Sequence, residues 1–189
     1  MNWNPRLAQL DDISAIEQLI PQSVLALQAP YYSEAQMCAA LGPVFGVDRQ
    51  LIEDGTYYLV ENDGRIIGCG GWSRRKSIFG GDQCRAGPDP ELNPACAPAR
   101  IRAFFVHQDW ARRGIGRSIL VACETAIRAA NFRSVELVAT LAGEPLYASH
   151  GYAAIEGYDI NLNGGLQLPV VRMRKSIPPD PELYRSDPR

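Results

Sequence analysis

Apolar residues recur at two spacings along this chain, and the alternation between them predicts the elements. Arg6–Gln9 reads as a short first strand. Ile13, Ile16, Leu19 and Ile20 then fall on one helical face behind Asp11 or Asp12 as N-cap. Pro21 removes a backbone donor and clashes one turn back, so this helix is expected to end or kink near Ile20. Ser33, with Glu34 and Gln36, opens a second helical pattern through Met37 and Leu41, and Gly42-Pro43 stops it. Leu51–Gly55 is too short to assign by period. Thr56–Glu61 and Arg65–Trp72 are rich in Tyr, Val and Ile around Asn62-Asp63-Gly64, a hairpin signal. Gly68, Gly70 and Gly71 weaken the second strand and point to a bulge or a close approach.

A stretch without period, 73–99, reads as a long inserted loop, in which Arg74-Arg75-Lys76 either faces an acidic group or, as the simpler reading, is a solvated charge cluster. Ile101–Val106 is the next strand. From Gly114 a long helix carries Ile115, Ile119, Cys123, Ile127 and Ala130 on one face, with Asn131 as its cap. Ser134–Ala139 alternates like a strand. Glu144–His150 forms a short helix with Pro145 in its first turn and Gly151 after it. Tyr152–Ile160 and Leu166–Lys175 flank an Asn163-Gly164-Gly165 turn. Residues 1–175 thus make one domain, and 176–189 a Pro-rich, flexible tail. The fold class is α/β (α+β): a mixed central sheet flanked by helices, because the strand–helix–strand crossover makes one pair parallel or splayed.

Composition narrows the function classes. The 189 residues carry 19 basic and 21 acidic side chains, a net charge of −2, which gives no electrostatic case for nucleic acid. Cys38, Cys69, Cys84, Cys96 and Cys123 are scattered and form no Cys-x-x-Cys pair, so no metal site is expected and free thiols in a reducing cytoplasm are. No apolar span or leader is evident, so a soluble, cytoplasmic protein away from membranes is expected. Cys69 reads as a small core residue.

The chemistry concentrates in Val106–Leu120. Gly114 and Gly116, among Arg112, Arg113 and Arg117, sit where a strand hands over to a helix. There, backbone N–H groups and the positive end of the helix dipole converge on one spot, which suits a phosphate. A Rossmann loop would need a third glycine where Ile119 stands, and no Walker-type Gly-Lys-Ser/Thr is present.

These residues resemble the GCN5-related N-acetyltransferase (GNAT) family. Phe104-Phe105-Val106 is similar to the family's strand end, and Arg113-Gly114-Ile115-Gly116 to its pyrophosphate loop. The later Leu146-Tyr147 and Gly151-Tyr152 are similar to its Leu-Tyr and Gly-aromatic pairs. Ala111 stands where the family usually has Arg or Gln, Thr140 near a common Asn, and Arg100 near a common Glu.

The resemblance implies an acyl-CoA N-acyltransferase fold, with a mostly antiparallel sheet and one splayed parallel pair. It implies acetyl-CoA as co-substrate, without metal, and transfer to a primary amine of a small molecule or peptide by direct attack in a ternary complex. Phe104, Phe105, Val106, Arg112, Arg113, Gly114, Ile115, Gly116, Arg117, Ser118 and Tyr147 would bind it. The Val106 N–H, or one beside it, would polarise the thioester, and Tyr147 would protonate the leaving thiolate. The base is open among Glu144, Asp82, Glu136 and His107, with Glu144 one turn before Tyr147. His150 reads as a helix terminator. Tyr31-Tyr32 and the 73–99 loop are the expected acceptor walls. A non-catalytic acetyl-CoA-binding module and a transferase of longer acyl groups stay as alternatives. Dimerisation is left open, with the C-terminal hairpin as the candidate homodimer interface.

Overall fold

The computed structural model describes residues 3–80 and 89–178. Its strands are β1 (Arg6–Leu7), β2 (Tyr57–Asn62), β3 (Arg65–Ser73), β4 (Ala99–Val106), β5 (Ser134–Thr140), β6 (Ala153–Asn161) and β7 (Gln167–Ser176). The helices are α1 (Ile13–Leu27), α2 (Glu34–Ala40), α3 (Arg49–Glu53), α4 (Ile115–Ala129) and α5 (Glu144–Ala148). The strands form one seven-stranded sheet in the order β1-β2-β3-β4-β5-β7-β6. Every pairing is antiparallel except β4 with β5. This is the mixed sheet with one parallel pair that the sequence predicts.

Alternation along the strands divides the core between two layers. Val135, Leu137 and Ala139 of β5 turn toward α4, whose stripe of Ile115, Ile119, Cys123 and Ile127 is buried against them. Tyr57, Leu59, Cys69 and Phe105 turn the other way, toward Ile16, Ile20 and Val24 of α1.

Of the two outcomes expected at Pro21, an end or a kink, the end does not occur. Instead of ending near Ile20, α1 continues through Pro21 to Leu27. Pro21 costs the hydrogen bond to Glu17, but Glu17 is exposed, where water can take its place. The helical stripe continues into Ser23 and Val24, at 5% and 0% exposure, and burying Val24 recovers about 1.5–3 kcal/mol. Packing outweighs the missing bond. The predicted tail boundary also moves: β7 reaches Ser176, and Ile177 is buried against the α4 layer with its N–H on the Arg133 carbonyl. The segment that 51–55 left unassigned is α3, capped by the Asp48 carboxylate on the Leu51 N–H.

The described parts of the 73–99 stretch, 74–80 and 89–98, are pinned to the body of the fold. Arg75 is not a solvated charge: its guanidinium is 2.7 Å from Asp54, at the end of α3, and holds that carboxyl below its usual range. Arg102 Nε lies 2.8 Å from Asp48, and its Nη1 donates to the Ser77 carbonyl at 2.7 Å.

Candidate active site

The parallel pair is short. It joins Ala99 to Val135, Arg100 to Glu136 and Ile101 to Leu137. Beyond Ile101 the two strands part, and β5 from Val138 to Thr140 pairs only with β7. The facing edges of Arg102–Val106 and Val138–Thr140 therefore lack strand partners, and buried backbone groups must find others.

A bulge in β4 sets up this parting. Phe105 faces Cys69 and Arg102 faces Gly71, so Ala103 and Phe104 share the place opposite Gly70. Ala103 takes φ +59, a conformation that costs a side-chain-bearing residue about 1–2 kcal/mol. The Tyr57 hydroxyl holds it by donating to the Ala103 carbonyl at 3.0 Å. A Cβ at Gly70 would meet the Phe104 ring at 2.5 Å, so the glycine lets that ring lie flat on β3. This is the close approach that the glycine-rich strand signals.

A cavity of about 640 Å³ fills the gap. At one end lies the start of α4. Gly114 is its N-cap at φ +86, and the first helical donor is the Ser118 N–H, on the Gly114 carbonyl at 3.0 Å. The Ile115, Gly116 and Arg117 amides precede that first bond and are directed out of the helix end. Arg112 and Arg117 line the same end. The preceding turn is tied to the N-terminal segment: Trp3 Nε1 donates to the Arg113 carbonyl at 2.8 Å, and the Arg113 guanidinium lies 4.9 Å from the Trp110 ring centre.

Tyr147 of α5 lines the middle of the cavity, edge-on to Phe104 with ring centres 6.1 Å apart. Among the described residues its hydroxyl has no hydrogen-bond partner. Burial, with a smaller contribution from Cys123, raises its pKa well above that of a free phenol. The O–H therefore stays protonated across the physiological range and beyond. On the opposite wall, Ser23 Oγ accepts the Val106 N–H at 3.1 Å.

Of the residues the sequence singles out, Phe104, Phe105, Val106, Arg112, Gly114, Ile115, Gly116, Arg117 and Tyr147 lie along this cavity. Arg113, Ser118 and Glu144 do not line it; Ser118 spends its N–H and hydroxyl inside the helix, the latter on the Ile115 carbonyl. Two other base candidates, Glu136 and His107, are engaged elsewhere. Glu136 lies 3.3 Å from Arg100 and 3.6 Å from Arg172. His107 is buried, 2.7 Å from Arg65, and its Nδ1 accepts the Asp109 N–H. Asp82 lies outside the described residues. His150 sits on the rim with Nδ1 2.8 Å from the Leu146 carbonyl, as a helix-ending residue would. Cys69 is fully buried and its thiol is pushed up to about 12, which leaves it inert.

Sequence reasoning missed Ser23, Gln28, Phe45, Ile160 and Val170, all on the cavity wall. Ser23 and Gln28 lie past Pro21, and the helical spacing from Ile16 through Ile20 to Val24 is the signal that reaches them.

A profile described as an acetyltransferase (GNAT) domain matches residues 53–154. Among solved structures, a GCN5-related N-acetyltransferase from Rhodopseudomonas palustris is 20% identical, with 93% of this chain and 96% of that one covered at a TM-score of 0.66. The PaiA N-acetyltransferase of Thermoplasma acidophilum, solved with coenzyme A, is 12% identical, with coverage of 93% and 99% at a TM-score of 0.61. The yncA protein of Salmonella typhimurium, solved with its cofactor acetyl-CoA, is 15% identical, with coverage of 95% and 96% at a TM-score of 0.60. A comparison with curated proteins finds no match.

Proposed function

The chain belongs to the GNAT acetyltransferase family, and from that premise we propose that it transfers the acetyl group of acetyl-CoA to a primary amine by direct attack in a ternary complex. One observation carries the reading: the unpaired β4 and β5 edges, the free amides of α4 and the Tyr147 hydroxyl all border one cavity.

The residues fit the co-substrate. The Ile115, Gly116 and Arg117 amides and the α4 dipole receive the pyrophosphate, with Arg112 and Arg117 as flanking cations. The pantetheine arm, itself a chain of amides, takes the place of the missing strand between β4 and β5. Bound there, acetyl-CoA supplies an acetyl group activated as a thioester.

Transfer forms a C–N bond and breaks a C–S bond, so one proton leaves nitrogen and one reaches sulfur. The Val106 N–H polarises the thioester oxygen, exchanging the Ser23 hydroxyl for it. Tyr147 gives its proton to the departing sulfur. Its raised pKa makes it a weaker acid than a free phenol, but the same dry surroundings also make the thiolate a stronger base. Neither Glu144 nor any other described carboxylate lines the cavity, and in this reading the amine's proton passes to solvent.

The test is release of free thiol from acetyl-CoA in the presence of a panel of primary amines. Amine-dependent thiol release with an acetylated product supports the assignment. Acetyl-CoA binding without turnover on any amine, amino acid or peptide would favour a non-catalytic module instead.

A further inference from the structure

Away from α4, the cavity changes chemistry, and the inference drawn from that change rests on the acetyl-transfer reading above. Val44, Phe45, Phe79, Ile160 and Val170 supply apolar walls. Gln28, the residue that ends α1, lines the same region, and its side-chain Oε1 is buried without a hydrogen-bond partner. Its main-chain carbonyl is taken by the Tyr31 and Tyr32 amides at 2.9 and 3.1 Å, so the side chain is what it presents to the cavity. A buried acceptor left unmade is costly, and a ligand N–H placed against it recovers that cost.

The segment after Gln28 is stitched in place. Tyr32 is 4% exposed; its hydroxyl donates to the Pro169 carbonyl at 2.7 Å and accepts the Leu141 N–H at 2.9 Å. Gln36 Nε2 adds a bond to the Gln167 carbonyl at 2.6 Å. These contacts join the α1–α2 connection to β7 and to the end of β5, bracing the segment that follows Gln28.

We infer that the acceptor is a primary amine with an apolar body rather than a polycation, and that its amino group donates to Gln28 Oε1. The nitrogen loses one hydrogen in the transfer and keeps another, so this bond persists from amine to amide. Among the described residues that line the cavity, a second ammonium group buried against Phe45, Phe79 and Ile160 would meet no carboxylate. The guanidinium on that wall, Arg102, already faces Asp48 at 2.8 Å.

The experiment compares kcat/KM for isoamylamine, benzylamine and phenylethylamine with that for putrescine, while calorimetry follows acetyl-CoA binding separately. At least one apolar amine is expected to exceed putrescine by tenfold or more. Gln28→Leu should raise the KM for that amine at least tenfold with kcat within about twofold, and Gln28→Glu, which keeps an acceptor oxygen, should restore most of it. A preference for putrescine, or an unchanged KM in Gln28→Leu, overturns the inference and leaves acetyl transfer standing. Acetyl-CoA binding with no apolar amine accepted overturns it too. Failure of acetyl-CoA to bind removes the underlying reading and this inference with it.

Discussion

The two ends of the cavity are made in different ways. The α4 end is built from main-chain groups of one continuous stretch, Phe104 to Arg117, where a bulged strand turns into a helix. The far end is built from side chains of α1, the loops around Phe45 and Phe79, β6 and β7. Backbone recognition depends on conformation, so a few glycines and the helix direction fix it. Side-chain recognition depends on which elements the fold brings together. The first kind suits a ligand that does not vary, and the second suits a ligand that differs from protein to protein.

The largest effect should come from attacking the backbone-built end. Gly114→Asp forces a side chain into φ +86 at about 1–2 kcal/mol and sets a carboxylate at the proposed pyrophosphate site. Gly116→Asp meets Leu146, already 3.1 Å from where a Cβ would lie. Calorimetry should show acetyl-CoA affinity falling at least about 10²-fold in each, roughly 3 kcal/mol. Near-normal binding in both would place the pyrophosphate elsewhere.

Tyr147→Phe lies between the ends and separates chemistry from binding. It should lower kcat by about 10²-fold with the acetyl-CoA Kd unchanged, as loss of a general acid does. A parallel rise in Kd would mean that the ring's packing on Phe104 matters more than its hydroxyl.

The far end is probed by pH. With the amine's proton released to solvent, kcat/KM should rise about tenfold per pH unit up to the amine's own pKa near ~10. The Tyr147 proton, held by burial to a pKa above that of a free phenol, is bound below its raised pKa and lost only above it. The rate should therefore show no alkaline decline near pH 10 from this group. A plateau beginning near neutrality would instead reveal a protein base.

The smallest effect should come from Trp3→Phe, which removes one hydrogen bond to the Arg113 carbonyl and leaves the cation at Trp110. Titration should show acetyl-CoA binding about two- to fivefold weaker, in line with a net bond of about 1 kcal/mol. No change would mean that the turn before α4 holds its shape without the N-terminal segment.

The same contrast explains what was legible in the sequence. Gly114, Gly116 and the strand–helix handover announce an anion site because the residues that make it are neighbours in the chain. Tyr147 was legible through its Leu-Tyr and Gly-Tyr setting. The bulge at Ala103 was not, since only the glycines of the facing strand hinted at it. Ser23 and Gln28 were hidden behind Pro21, where a local rule about proline competed with the burial of Val24 and lost. Glu144 shares a helix with Tyr147 but does not line the cavity, although its neighbours Gly143 and Pro145 do. Arg75 looked like surface charge because its partner, Asp54, comes from another element.

The central claim is that the gap between β4 and β5 holds acetyl-CoA, and thermal unfolding with and without the ligand tests it most directly. At about 100 times its Kd, acetyl-CoA should stabilise the fold by about 2.7 kcal/mol, raising Tm by roughly 5–10 °C for a chain of this size. Gly114→Asp should abolish the shift while keeping a cooperative transition. A wild-type Tm unmoved by millimolar acetyl-CoA, or a shift of equal size in Gly114→Asp, would contradict the account.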